Sequence, residues 1–232
     1  MNLAEQQRHW LQQIQQLTSK PIQVCSIVKE KRIPLTQAIL SNRLPINHRV
    51  LLPTEMVFEY DYPAYEQNAR ATKEMIRWFE NSDIPYLMGY TGGKSIHVHV
   101  FLNPKVNITP KQQKRLKEIN FTFSLLKKYL GKKHFFKTLN AIGEDLYGAS
   151  RLDESMFSNN CLCRTFGGIH EKTQNRKTWL THIPEKKPEK YTVRFPQIIS
   201  LWNCQDLLDK SLKYIKKIQP IKEYNFKRYS PT

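Results

Sequence analysis

The sequence predicts a mixed α+β fold, a β-sheet with helices packed around it. Three observations lead there: short runs of β-prone residues, amphipathic stretches with helical spacing between them, and no internal repeat or low-complexity linker. The 232 residues suffice for one sizeable core, and 40% hydrophobic with 11% aromatic residues supply the apolar surface to order it. A single domain over 1–232 is expected, with an N-terminal helix and an ill-defined region over 1–54, a core over 55–200 and a basic helical tail over 201–232.

Taken in order, Leu3, Trp10, Ile14 and Leu17 recur at helical spacing until Ser19-Lys20-Pro21 interrupts them. From Pro21 to Pro53 short apolar pieces lie between prolines, and only loops and short elements are expected. Met56 to Tyr60 has strand character and is closed by Pro63, and Ala64 to Phe79 then places Ala71, Met75, Ile76 and Phe79 on one helical face. Pro85 to Tyr90 and Ile96 to Phe101 form two more strands joined through Thr91-Gly92-Gly93-Lys94, and the three share a sheet. Thr109-Pro110 suits the start of a helix carrying Leu116, Ile119, Phe123 and Leu126 and ending near Gly131. A second helix over His134 to Leu146, strands over Thr178 to Ile183 and Tyr191 to Phe195, and a basic helix over Asp206 to Ile218 complete the expectation.

A formal charge of +17, from 37 Lys and Arg against 20 Asp and Glu, calls for a polyanionic partner, nucleic acid first. No run of about 18 apolar residues could span a bilayer, and the N-terminus is polar rather than a secretory signal, so a cytoplasmic, nucleoid-associated protein without membrane contact is expected. Cys25, Cys161, Cys163 and Cys204 lack the paired spacing of a disulfide framework or a zinc knuckle, and no zinc is expected.

Chemistry concentrates in three blocks. In Phe58-Glu59-Tyr60-Asp61-Tyr62 the alternation of a strand projects Glu59 and Asp61 to one side and Phe58 and Tyr60 to the other. Such paired carboxylates hold hard divalent ions while leaving room for water and phosphates. Next, Gly92-Gly93-Lys94-Ser95 offers flexible backbone, an ammonium and a hydroxyl to an anion, and leads into a strand where His97 and His99 share a face. The last block runs from Leu152-Asp153-Glu154 to Cys163-Arg164-Thr165-Phe166-Gly167-Gly168-Ile169-His170-Glu171-Lys172-Thr173, which adds an acid, a planar guanidinium and further cations around a glycine turn.

These blocks, in this order over roughly residues 55 to 183, resemble the archaeo-eukaryotic primase superfamily, most of all the small catalytic subunit of DNA primase. The resemblance implies a recognition-motif-like palm and template-directed nucleotidyl transfer that makes primers on single-stranded DNA from NTPs or dNTPs with two Mg²⁺ or Mn²⁺ ions. It assigns Glu59, Asp61 and Asp153 to metal binding and catalysis, and Thr91, Gly93, Lys94, His97, Arg164, His170 and Lys172 to the nucleotide. It further implies a large-subunit-type iron–sulfur domain as partner, in trans or fused C-terminally. The chain departs from the pattern in three ways: Glu stands first in the acidic pair, Glu144 and Asp145 compete with Asp153 for the third acid, and the zinc module is not evident. Lys127-Lys128 and Lys132-Lys133, interleaved with Tyr129, Phe135 and Phe136, either track a template strand by phosphate contact and stacking or form a solvated helix face whose aromatics belong to the core.

Two other readings compete. His97-Val98-His99 also resembles the metal strand of rolling-circle initiators and relaxases, with Tyr214 as nucleophile. A basic single-strand-binding module without activity would explain the charge but not the carboxylates.

Overall fold

The computed structural model describes residues 1–26, 31–41, 46–103, 105, 123–157, 161–205 and 207. Its architecture is α+β, with two largely antiparallel sheets and helices. The central sheet takes β4 (Glu55–Phe58), β5 (Leu87–Tyr90), β6 (Ile96–Leu102) and β8 (Thr178–Leu180) in the order β4-β6-β5-β8, and β9 (Leu201–Trp202) pairs in parallel with β6. The three strands expected to share a sheet do so, with β6 in the middle.

The second sheet takes three of its strands from the region over Pro21 to Pro53, expected to hold only loops and short elements. It consists of β1 (Gln23–Cys25), β2 (Ile33–Pro34), β3 (His48–Val50) and β7 (Leu162–Arg164), in the order β2-β1-β3-β7. Helix α1 (Leu3–Gln16) packs beside it. Asn2 and Glu5 close its first turn reciprocally, the Glu5 N–H donating to Asn2 Oδ1 at 3.0 Å and the Asn2 N–H to Glu5 Oε2 at 2.8 Å. From the buried face of α1, Gln7 donates to the carbonyls of Ile46 and Phe166 and accepts from the Ile46 N–H. Short helix α2 (Leu35–Leu40) follows β2.

Alternation along β4 and β6 explains the layering. Met56, Phe58, Ile96, Val98 and Val100 enter the main core with α3 (Tyr65–Asn81). The region after Gly131 begins as a π-type turn, Gly131–Phe135, between α4 (Phe123–Leu130) and α5 (Phe136–Tyr147). The opposite face of the central sheet, with Glu55, His97, His99 and Phe101, turns toward the second sheet.

Helix α3 matches the expected helix, and α5 the second one. Of the helix expected from Thr109 to near Gly131 the described part, Phe123–Leu130, is helical as α4, while its start, the tail over Asp206 to Ile218 apart from Leu207, and Tyr214 lie outside the described residues. Tyr191 to Phe195 forms no strand but lies along β8, with the Trp179 N–H donating to the Arg194 carbonyl at 3.0 Å. Phe135 and Phe136 are core residues at 0% and 7% exposure, so they cannot stack on a template, and Lys127 is buried as well. The side chains of Lys128, Lys132 and Lys133 lie outside the described residues. Among the described residues no helix is long and apolar enough to cross a membrane.

Candidate active site

The acidic pair sits just past the end of β4, where the chain leaves β6 and finds a new partner. Tyr60 bridges antiparallel to Leu152, the Asp61 N–H donates to the Arg151 carbonyl, and the Asp153 N–H donates to the Glu59 carbonyl, each at 2.8 Å. This register sets Asp153 opposite Glu59, and residues opposite one another across an antiparallel pair share a face. Glu59, Asp61 and Asp153 are thus brought to one side. Tyr60 points the other way, fully buried, its hydroxyl donating to the Leu139 carbonyl at 2.6 Å. The rival acids Glu144 and Asp145 are exposed near the end of α5.

The three carboxylates occupy unlike surroundings. Glu59 is 14% exposed; Ser95 Oγ donates to its Oε1, and His97 Nε2 lies 2.8 Å from its Oε2. Burial alone would raise the Glu59 carboxyl, but His97, the Ser95 hydroxyl and the nearby Lys177 charge outweigh it and hold it at about 2. Asp61 is 60% exposed and pairs with Lys94 at 3.0 Å. Asp153 is half-buried and accepts from the Ser155 N–H at 2.9 Å. Three carboxylates on one face, from nearly dry to open, offer oxygen donors of the kind hard divalent ions take, although as placed they do not converge within 4.8 Å of one another as His97, His99 and Cys163 do.

Asn68, buried on α3, ties the acids to the glycine turn. Its side chain accepts from the Tyr62 N–H at 2.7 Å and donates to the Lys94 carbonyl at 3.0 Å. Within the turn the Tyr90 hydroxyl donates to the Gly93 carbonyl, and the Thr91 hydroxyl donates to the Ser95 carbonyl. Thr91 therefore braces the turn from inside. Gly92 takes φ +88, which favours glycine, and Gly93 is pressed so close to His170 that a Cβ would come within 2.6 Å of Nε2.

The last block folds over this turn. Gly167, at φ +79, completes a turn closed by the Gly168 N–H on the Thr165 carbonyl at 3.0 Å. A hairpin then brings Thr173 Oγ1 to the Gly92 carbonyl at 2.6 Å and leaves Lys172 exposed at its tip. Arg164 reaches the Thr91 carbonyl through Nη1 at 3.1 Å, while its Nε is buried without a hydrogen-bond partner among the described residues. Burial, and then the charge of Arg164, lower the pKa of His170. Lys94, Arg164, His170 and the glycine turn therefore border the carboxylates, with one guanidinium donor unspent.

His97 and His99 face inward rather than toward solvent, at 6% and 1% exposure. His99 Nδ1 lies 2.7 Å from Glu55 Oε1, and Glu55 is gripped by both terminal nitrogens of Arg49 at 2.6 and 2.5 Å. His97 Nδ1, His99 Nε2 and Cys163 Sγ converge within 4.8 Å of one another, a group that could hold a metal ion. The Lys177 amine stands among them, 3.0 Å from His97 Nδ1, 2.8 Å from His99 Nε2 and 3.7 Å from Cys163 Sγ. Burial lowers the Lys177 amine to about 8, with the Cys163 thiol acting against that shift. For His97, burial and Lys177 act downward, but Glu59 and Cys163 prevail and raise it.

Sequence reasoning passed over Glu55, Arg49, Cys163 and Lys177. Glu55 had a signal, because it continues the alternation of Glu59 and Asp61 two steps back along β4. The others come from β3, β7 and the residue just before β8 and carry no local pattern.

No protein-family model and no curated protein matches the chain. Among solved structures, the polymerase domain of Mycobacterium tuberculosis Ligase D in complex with DNA is similar over 66% of this chain and 60% of that one, with 13% sequence identity and a TM-score of 0.37.

Proposed function

We propose that the chain is the catalytic part of a primase-polymerase that carries out template-directed nucleotidyl transfer on single-stranded DNA with NTPs or dNTPs. The observation that carries this reading is the register of Glu59 against Asp153, which gathers three carboxylates beside a cationic, glycine-lined turn. Glu59, Asp61 and Asp153 would hold two Mg²⁺ or Mn²⁺ ions. When bound, such ions activate the attacking 3′-hydroxyl and neutralise charge on the leaving pyrophosphate.

The chain's own residues do the rest by position and charge. Arg164 and His170 flank the turn and grip the triphosphate, with Lys172 adding charge from the hairpin tip. Lys94 releases Asp61 as it turns to the phosphates, an exchange that their exposed pairing allows at little cost. Gly93 keeps the backbone low beside His170. His97 and Ser95 hold Glu59 ionised and fixed in direction. Strand nicking through a His97 and His99 metal site is disfavoured by the Lys177 amine, which lies between those rings.

The test supplies a primed and an unprimed single-stranded template, labelled NTPs or dNTPs, and Mg²⁺ or Mn²⁺. Template-dependent products that vanish with Asp61→Ala are expected. No product from the intact protein under any of these combinations, or undiminished synthesis by Asp61→Ala, would overturn the reading.

A further inference from the structure

The convergence of His97, His99 and Cys163 invites a transition-metal site, because each histidine is backed by a carboxylate on its other nitrogen, as metal-bound histidines are. The surroundings of Lys177 argue otherwise. An ion bound to two imidazole nitrogens and a sulfur would lie roughly 2.0–2.3 Å from each, in the space that Nζ takes at 3.0, 2.8 and 3.7 Å from the same atoms.

We propose that Lys177 is a positioning residue: its buried ammonium, in place of a metal ion, binds His97 Nδ1, His99 Nε2 and Cys163 Sγ and so holds the His97 ring with Nε2 directed at Glu59. The significance of Glu59 rests on the nucleotidyl-transfer reading; the identity of the central cation does not.

Proton accounting supports this assignment. An ammonium has three N–H donors and no acceptor, and His97 Nδ1, His99 Nε2 and Cys163 Sγ surround it. The Cys163 thiol, itself 3.2 Å from His97 Nδ1, donates its own proton to the Arg164 carbonyl at 3.4 Å, which leaves all three as acceptors. Both imidazoles must then present a bare nitrogen to Lys177 and carry their proton on the other, His97 on Nε2 toward Glu59 and His99 on Nδ1 toward Glu55. One continuous buried path results, from Arg49 through Glu55, His99, Lys177 and His97 to Glu59 and Ser95. With both rings singly protonated and Cys163 a thiol, Arg49 and Lys177 balance Glu55 and Glu59. A buried network is stable only when each member is satisfied.

The fold also makes room for the lysine. Lys177 is 0% exposed, and its Nζ lies 4.9 Å from the centroid of the Phe166 ring, within the range of a cation–π contact. Its stem passes over Gly89 of β5, where a Cβ would come within 2.9 Å of Lys177 Cε and 2.6 Å of the Phe166 ring. A glycine in the middle of a strand is unfavourable unless something approaches closely, and here the lysine stem and the ring do.

The test uses the intact chain in two measurements that need no activity, and one that does. Elemental analysis of purified protein is expected to show no stoichiometric zinc, iron or copper. Long-range ¹H–¹⁵N spectra of the histidine rings are expected to show His97 as the Nε2–H tautomer and His99 as the Nδ1–H tautomer. In Lys177→Met the His97 tautomer should no longer be fixed, added Co²⁺ should produce a thiolate charge-transfer band that the intact protein lacks, and kcat for nucleotidyl transfer should fall about 10- to 10²-fold with little change in KM. One equivalent of tightly held metal in the intact protein, a Co²⁺ band without the substitution, or unchanged ring signals in Lys177→Met would overturn the proposal. If Lys177→Met fails to fold, the metal content and tautomers of the intact protein still decide it. Absence of any polymerase activity, with both of those as expected, would count against the proposed function and leave the role of the ammonium standing.

Discussion

The Asp153 N–H donates to the Glu59 carbonyl at 2.8 Å, so two acids 94 positions apart in the chain share one face of a short antiparallel pair. The pairing separates Asp153 from its rivals by geometry rather than by sequence distance. If these carboxylates carry catalysis, Asp153→Asn should lower kcat by about 10²- to 10³-fold with the melting temperature little changed. Asp145→Asn, on the exposed end of α5, should leave kcat alone. Equal losses in a primer-extension assay would remove the distinction.

Arg49 and Glu55 join the two sheets by a bidentate ion pair in which both side chains are essentially dry, at 2% and 0% exposure. Burial opposes ionisation of Glu55, yet Arg49 and the hydrogen bond with His99 hold its carboxyl far below the usual range. Arg49→Met leaves that charge with only the neutral His99 ring and the Leu52 N–H as hydrogen-bond partners. Such a break should cost about 3–5 kcal/mol of unfolding free energy, measured by urea denaturation. A cost below about 1 kcal/mol would mean that water or a rearranged cation reaches Glu55.

How much of this was legible follows from element length and periodicity. Glu59 with Asp61 and His97 with His99 could be placed because strand alternation is local and both runs are strongly β-prone. The second sheet could not, because β1, β2, β3 and β7 are three, two, three and three residues long, too short to display a period. Phe135 and Phe136 read equally as a stacking platform among lysines or as core aromatics, and the structure decides for the core, with both rings buried at and just after a π-type turn. Lys177 had no signal of any kind: lysine is ordinarily a solvated residue, and its partners His97, His99 and Cys163 reach it from other strands.

Two inner histidines give the fold an acid limit. Burial, then the charge of Arg164, push His48 down to about 4; burial, then Lys177, push His99 down to about 3. In the unfolded chain both take up a proton near 6.5. Between 6.5 and those lowered values the unfolded state binds more protons, so stability is fully present above pH 6.5 and is lost as pH falls toward about 4 and then about 3. Glu59 extends the loss, since its carboxyl, ordinarily at 4.5, is held at about 2. Urea unfolding at pH 7, 6, 5 and 4 should show stability declining throughout, and His48→Gln should flatten the decline above pH 4. A flat profile from pH 7 to 4 would show that these rings protonate without unfolding.

Gly93 offers a test of the nucleotide cradle that leaves every charged group in place. A Cβ there would come within 2.6 Å of His170 Nε2 and 3.0 Å of its Cδ2, while the Gly93 carbonyl still accepts from Tyr90. Gly93 has no positive φ, so alanine adds volume without backbone strain. The imidazole, at the end of a side chain on the folded-over hairpin, must move away from the turn. In Gly93→Ala the binding of a nucleoside triphosphate should weaken about tenfold, a loss of one well-placed hydrogen bond to a charged group, with the melting temperature nearly unchanged. His170→Ala should weaken binding by a similar factor, and the double variant should be no worse than either single one, because both act on the same contact. Additive losses in equilibrium binding would show instead that Gly93 and His170 contact the nucleotide independently.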